Sequence, residues 1–212
     1  MWLVVINPHA GNGRGMAFAQ RVTSYLDGQK IAYMTLSAPS ADELRSDLES
    51  WVDKNSFVGV ISIGGDGLAH LVLQVCVPRH LPFAIVPAGT GNDFVRTLGW
   101  NLENVESLLE HVVTTDPKPI DLGNVDSEWF GCILSTGFDS VVNEKANSLP
   151  WPKGPQRYNL AMAIELPRFS PIEYEITCDG QSFTTEAMLV AIGNGKSYGG
   201  GMNICPQAQL HD

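Results

Sequence analysis

Three glycine-rich turns, each at the end of a short apolar run, constrain this chain more than any other feature of its sequence. The runs are Trp2 to Ile6, Phe57 to Ile63 and Pro82 to Val86, with a fourth at Ile31 to Leu36. They are near-continuous rather than alternating, as strands buried on both faces are. Helical segments separate them. The best marked begins at Ser40, which forms a capping box with Glu43; Leu44, Leu48, Trp51 and Val52 then recur at i, i+4, i+7 and i+8 as one buried stripe. This alternation predicts a Rossmann-like α/β fold, a parallel sheet with helices on both faces. In an open sheet of that kind ligands bind beyond the carboxyl ends of the strands, so the three turns are expected to meet at one crevice.

Each turn carries its own chemistry. Asn7-Pro8-His9-Ala10-Gly11-Asn12-Gly13-Arg14-Gly15 leaves the first run and enters a helix, where free backbone N–H groups can cradle phosphate. It holds no Walker lysine, and an ordinary strand-to-helix turn explains it equally simply. Gly64-Gly65-Asp66-Gly67-Leu68 sets an aspartate between glycines, so that a nucleotide can approach the backbone while a carboxylate faces Mg²⁺ or a substrate hydroxyl. The plainer alternative is an aspartate capping the next helix. Pro87-Ala88-Gly89-Thr90-Gly91-Asn92-Asp93 offers a hydroxyl, an amide and a carboxylate within four residues, again with a cap as the alternative.

After a last amphipathic helix carrying Val105, Leu108, Leu109 and Val112, Pro117 and Pro119 break the pattern. A domain boundary is expected between residues 118 and 119. Residues 119–212 then read as part of a second, β-rich sandwich domain, apparently truncated. Ile120 to Val125 and Trp129 to Leu134 flank a turn at Asp126-Ser127, and Tyr174 to Cys178 and Met188 to Ile192 look similar. A formal net charge of -10, with 13 scattered basic residues, argues against a nucleic-acid binder. No window reaches the roughly 18 apolar residues that a membrane-spanning helix needs, so membrane contact is expected to be peripheral. Cys76, Cys132, Cys178 and Cys205 lack zinc-site spacing and are expected to be small buried hydrophobes in a reducing cytoplasm. The apolar start of the chain lacks the basic flank and cleavage site of a signal peptide, which agrees with a cytoplasmic protein.

The three turns, in this order and spacing, resemble the diacylglycerol kinase catalytic domain family, which includes bacterial lipid kinases and the sphingosine and ceramide kinases. The resemblance continues through Ile120-Asp121-Leu122-Gly123, Gly137-Phe138-Asp139, a helix near Arg157-Tyr158, Gly193-Asn194-Gly195, Tyr198-Gly199-Gly200-Gly201-Met202 and Pro206-Gln207-Ala208. It implies a two-domain kinase using ATP and Mg²⁺, with nucleotide in the interdomain cleft and a lipid substrate presented at a membrane surface. By motif position Asn7, Pro8, His9, Ala10, Gly11, Gly65, Asp66, Gly67, Thr90, Gly91, Asn92 and Asp93 would line the nucleotide, with Thr35 a further candidate. Asp66 would be the catalytic aspartate or metal partner, and Asp139 would lie on the lipid-facing side. Gln209 and Asp212 would belong to a metal site. The resemblance also implies that family members continue for roughly a third of the fold beyond Asp212. Homodimers occur in the family without leaving a motif, so a homodimer is open.

Two positions depart from the family pattern. Leu68 stands where threonine is usual, with precedent among sphingosine kinase-like sequences that also place a histidine where His70 stands. Leu71 stands where glutamate is usual and has no such precedent. The leading expectation is therefore an ATP-dependent lipid kinase; its rivals are a nucleotide-binding module without catalysis and a soluble-substrate kinase akin to NAD kinase. Gly195-Lys196-Ser197 imitates the end of a Walker loop, but Val190 occupies the position where that motif needs glycine. The five histidines show no metal-helix spacing. Leu149 to Pro155, with Trp151 and Lys153, is either a membrane-touching loop or an ordinary proline-rich connector.

Overall fold

The computed structural model describes residues 1–100, 104–152 and 155–212. Lys153 and Gly154, in the proline-rich segment weighed above, lie outside them; Trp151 in that segment is 74% exposed. The chain forms two compact units, one of residues Met1–Ile133 with Gly193–Asp212 and one of Leu134–Ile192.

In the larger unit, strands β1 (Trp2–Ile6), β2 (Tyr33–Leu36), β3 (Gly59–Gly64) and β4 (Phe83–Pro87) form one parallel sheet in the order β2-β1-β3-β4. The helices are α1 (Ala10–Gly28), α2 (Ala41–Lys54), α3 (Asp66–Cys76), the short α4 (Asp93–Thr97) and α5 (Val105–Thr114). Successive strand residues point to opposite faces, and here both faces are covered. Val4, Ile61, Ile63 and Val86 pack with Ala19, Val22 and Leu26 of α1 and Leu108 and Leu109 of α5. Leu3, Val5 and Val60 pack with Leu44 and Leu48 of α2 and Val72 and Val75 of α3. This two-sided burial is why the strands read as unbroken apolar runs. Ser62 is the polar exception inside β3, and its hydroxyl donates to the Ala84 carbonyl at 3.2 Å. The fourth run departs from expectation. β2 begins at Tyr33 and lies at the sheet edge, with only Leu36 of its four residues buried.

Residues 120–132 pack onto the same unit. Ile120, Leu122, Trp129 and Cys132 close on Phe94, Val95 and Ile85. Strands β5 (Gly123–Val125) and β6 (Glu128–Phe130) form the expected hairpin about Asp126 and Ser127, both at positive φ, as a two-residue turn matched to strand twist requires. The run Trp129 to Leu134 is not one strand: it breaks at Gly131, where an added Cβ would meet the Phe94 ring at 2.5 Å, and resumes as β7 (Ile133–Gly137).

The smaller unit holds most of β7, helices α6 (Phe138–Ser148) and α7 (Pro155–Glu165), and strands β8 (Ile172–Cys178), β9 (Gln181–Ala187) and β10 (Leu189–Gly193). β8 and β9 form an antiparallel hairpin and β10 pairs with β7. Its core is small, with Val142, Ala146 and Ala161 buried and Phe138, Tyr158 and Met162 packed around them. Back in the larger unit, the two-residue strands β11 (Ser197–Tyr198) and β12 (Met202–Asn203) enclose Gly199, Gly200 and Gly201. All four cysteines are free thiols, but only Cys76 is buried: Cys132 and Cys205 are half-buried, and Cys178 is exposed because it ends β8 on an open hairpin beside the Asp179-Gly180 turn.

Candidate functional site

A parallel sheet with β1, β3 and β4 side by side puts the turns that follow them side by side. The three glycine turns do meet. An added Cβ on Gly89 would collide with the Gly65 α-carbon, and one on Gly11 would collide with the Ala88 carbonyl oxygen. Gly11 also sits at φ +57, a left-handed conformation that costs glycine little. These contacts admit no side chain, so the glycines here are demanded by the close approach of backbones.

Beside the turns lies a cleft of about 450 Å³. Asn7, Pro8, His9, Ala10 and Gly11 form one wall, Gly65 and Gly67 the base, and Gly89 and Thr90 another wall. The remaining side is apolar, with Ala38, Pro39, Ala41, Leu44, Leu68 and Leu71. One end is thus rich in backbone and the other in hydrocarbon, the mixed lining usual in small-molecule sites. Asn7 braces its own turn, its side-chain oxygen accepting from the His9 N–H at 3.0 Å.

Asp66 opens helix α3, with Gly65 as the extended residue before it. Its Oδ1 accepts from the Phe94 N–H at 3.2 Å, which ties the second turn to helix α4. A Cβ on Gly91 would lie 2.8 Å from the Asp66 Oδ2 and 3.2 Å from the Asp93 Oδ2, so two carboxylates flank that glycine. Asn92 adopts the left-handed conformation and closes the third turn, accepting from the Gly89 N–H at 3.1 Å and donating to the Gly89 carbonyl at 3.0 Å.

Asp93 is buried. Its Oδ2 accepts from the Gly200 N–H at 2.7 Å, and Oδ1 stands 3.4 Å from the Ser197 hydroxyl. The Gly199–Gly201 turn is therefore held against the third turn, next to Gly91. Residue-by-residue reasoning did not bring this fourth glycine turn to the site. The available signal was three consecutive glycines, which in the structure have φ of +64, +88 and +105. Cys132 supports the same corner: its carbonyl accepts the N–H groups of Asn194 and Gly195, each at 2.7 Å, and burial pushes its thiol up to about 12.

Other candidate residues stand apart from this group. Thr35 pairs with Val4 near the end of β2 and borders a separate surface depression with Tyr33, Met34 and Asp27. Asp139 belongs to the smaller unit, where it is buried at the start of α6 and accepts from the Ser135 hydroxyl and the Ser140 N–H. Gln209 and Asp212 are exposed in the final segment, and among the described residues no group of three His, Cys, Asp or Glu is placed to hold a metal ion. For Mg²⁺ the fitting donors are the Asp66 and Asp93 carboxylates, because that ion takes one or two protein carboxylates and completes its shell with phosphate and water. Among the described residues no helix is long and apolar enough to cross a membrane.

Leu68 and Leu71 have a clear structural place. Both line the cleft and both pack into the core beneath α2 and α3, Leu68 nearly fully buried against Gly64. Where the family pattern has hydroxyl and carboxyl groups, this cleft has hydrocarbon.

Residues 1–125 match the diacylglycerol kinase catalytic domain, and residues 132–212 match the YegS C-terminal NAD kinase beta sandwich-like domain. A protein named diacylglycerol kinase from Mycobacterium tuberculosis is 35% identical over 97% of this chain and 68% of its own length. A second of that name, from Bacillus subtilis, is 31% identical over 72% of this chain, and the match spans 52% of the relative. A crystal structure of a putative diacylglycerol kinase from Bacillus anthracis superposes with a TM-score of 0.76 at 26% identity, covering 100% of this chain and 71% of the other. With matched domains across nearly the whole sequence and the glycine turns gathered at one cleft, the chain belongs to the diacylglycerol kinase catalytic domain family.

Proposed function

We propose that this chain works as an ATP-dependent lipid kinase, transferring the γ-phosphoryl group of ATP to a hydroxyl of diacylglycerol or a related lipid. The observation that carries the proposal is the meeting of three glycine turns at one cleft, with the carboxylate of Asp66, which does not itself line the cleft, tied to the Phe94 N–H beside Gly91 of the third turn. Phosphoryl transfer asks the protein mainly for positioning and for groups that meet developing charge. The turn backbones would bind the phosphates, and the apolar side formed by Pro39, Leu44 and Leu71 would take the rest of the nucleotide. Asp66 would orient the lipid hydroxyl and accept its proton while the hydroxyl oxygen attacks in line. If Asp66 instead holds Mg²⁺ together with Asp93, the ion would supply neutralisation of charge on the transferring group. Asp139 is proposed to lie on the lipid side, and Gln209 and Asp212 carry no step. Residues 1–118 would form the nucleotide half and 119–212 part of the lipid-facing half. The enzyme would work in the cytoplasm, meeting its substrate at a membrane surface.

A second reading, a binding module without catalysis, is favoured by Leu68 and Leu71, which leave the cleft without two polar groups of the family pattern. Transfer of labelled γ-phosphate from Mg-ATP to a panel of micellar lipids, with NAD as a soluble competitor acceptor, separates the readings. The kinase proposal expects labelled lipid, and with Asp66→Asn a fall of about 10²- to 10⁴-fold, the usual worth of a positioned general base. ATP binding without labelled lipid would support the module; labelled NAD would support a soluble-substrate kinase.

A further inference from the structure

We propose that Arg14 is a positioning residue whose guanidinium staples the first glycine turn to the third and thereby sets the nucleotide affinity of the cleft. The inference rests on the nucleotide reading above. Arg14 Nε donates to the Gly11 carbonyl at 3.1 Å, and Nη2 donates to the Gly89 carbonyl at 3.2 Å, joining residues 75 positions apart. The side chain lies flat against the first turn: a Cβ on Gly11 would stand 2.8 Å from Nε and 2.9 Å from Nη2. Gly89 is then doubly held, because its carbonyl also accepts from Asn92 Nδ2 at 3.0 Å, filling both acceptor positions of that oxygen.

The consequence for a ligand follows from peptide geometry. A trans peptide is planar, with its C=O and N–H pointing in opposite directions. Drawing the Gly89 carbonyl toward Arg14 therefore turns the Thr90 N–H away from Arg14, and Thr90 lines the cleft whereas Arg14 does not. Arg14 thus acts through a backbone donor that a phosphate would meet. A planar fork holds two carbonyls in one fixed geometry, whereas an ammonium group, though it has three donors, is a point charge on a flexible stem.

The test uses Arg14→Ala and Arg14→Lys in the full chain. Binding of a non-hydrolysable Mg-ATP analogue is followed by calorimetry, and KM for ATP, KM for lipid and kcat by the transfer assay. Both variants are expected to bind the analogue about tenfold more weakly, the usual loss for charge-assisted hydrogen bonds. KM for ATP should rise to match, with a smaller effect on kcat and on KM for lipid. Because Arg14 is exposed, melting temperature should stay close to that of the unaltered chain. Recovery of affinity with Arg14→Lys would overturn the staple by showing that charge alone suffices, and so would unchanged affinity with Arg14→Ala. An unaltered chain that fails to bind the analogue would instead overturn the nucleotide reading, and the staple with it.

Discussion

In the larger unit all six residues of β3 are buried, whereas in the smaller unit none of the seven residues of β8 is. The difference lies in what covers each sheet. Helices lie on both faces of β3, so every residue faces hydrocarbon; β8 and β9 form a two-stranded hairpin on which Ile172 and Phe183 are exposed. A rigid, doubly covered sheet is what a site made of turns needs, since those turns hang from strand ends and inherit their precision. The glycine turns occupy the larger unit for that reason.

Truncating one apolar side chain in each region should break the comparison if it is false. Ile61→Ala removes a fully buried side chain from the centre of β3 and should cost about 2–5 kcal/mol, transfer and cavity terms together. Phe183→Ala removes a larger side chain that is 53% exposed, and should stay within about 0.5 kcal/mol. Denaturant unfolding of the two variants measures both. Equal losses would mean that the hairpin face is covered in solution.

A smaller effect tests how the β5–β6 hairpin is joined to the same scaffold. Gln74, buried on α3, accepts from the Trp129 N–H at 2.9 Å and donates to the Trp129 carbonyl at 2.8 Å, serving as a substitute strand edge for β6. Gln74→Ala leaves both backbone groups without that partner and should cost about 1–3 kcal/mol. Gln74→Glu loses the donor and sets a buried carboxylate against the Trp129 carbonyl, so it should cost at least as much as Gln74→Ala. Hydrogen exchange at the Trp129 amide would report the loss locally.

The same contrast decides what could be read in the sequence. β1, β3 and β4 were legible because burial on both faces leaves no polar residue to interrupt the run. β2 reads as their equal because its apolar residues resemble theirs, although only Leu36 of its four residues is buried. β9, Gln181–Ala187, was not legible at all: with neither face closed, Gln, Ser and Thr are tolerated along it. Helix α6 carries no legible stripe either, since of its three buried residues Asp139 is charged and only Val142 and Ala146 are apolar. At the site, the turns were legible because glycine is required locally, by φ or by close approach. The hydrogen bond from Gly200 to Asp93 and the reach of Arg14 to Gly89 were not, because each joins distant segments through a single side chain.

Helix starts give the finest version of the comparison and the smallest expected effect. Ser40 caps α2, its hydroxyl accepting from the Glu43 N–H at 3.2 Å, and the residue also borders the cleft. Ser40→Ala should cost about 1 kcal/mol and Ser40→Gly only a few tenths, since glycine leaves the free N–H open to water. In the smaller unit the residue before α6 is Gly137, which has no side chain to cap with. Serine would be the better cap by preference, yet Gly137→Ser should destabilise rather than help. Gly137 sits at φ +111, and a Cβ there would stand 2.5 Å from the Met188 carbonyl oxygen and 2.6 Å from the Tyr174 hydroxyl. At Ser40 the side chain meets an orphan donor in open space; at Gly137 the backbone of β10's approach has already taken that space, because the Phe138 N–H donates to the same Met188 carbonyl at 2.8 Å. Thermal unfolding of Ser40→Ala beside Gly137→Ser reads both signs, and a gain from Gly137→Ser would show that this helix start is looser than its contacts imply.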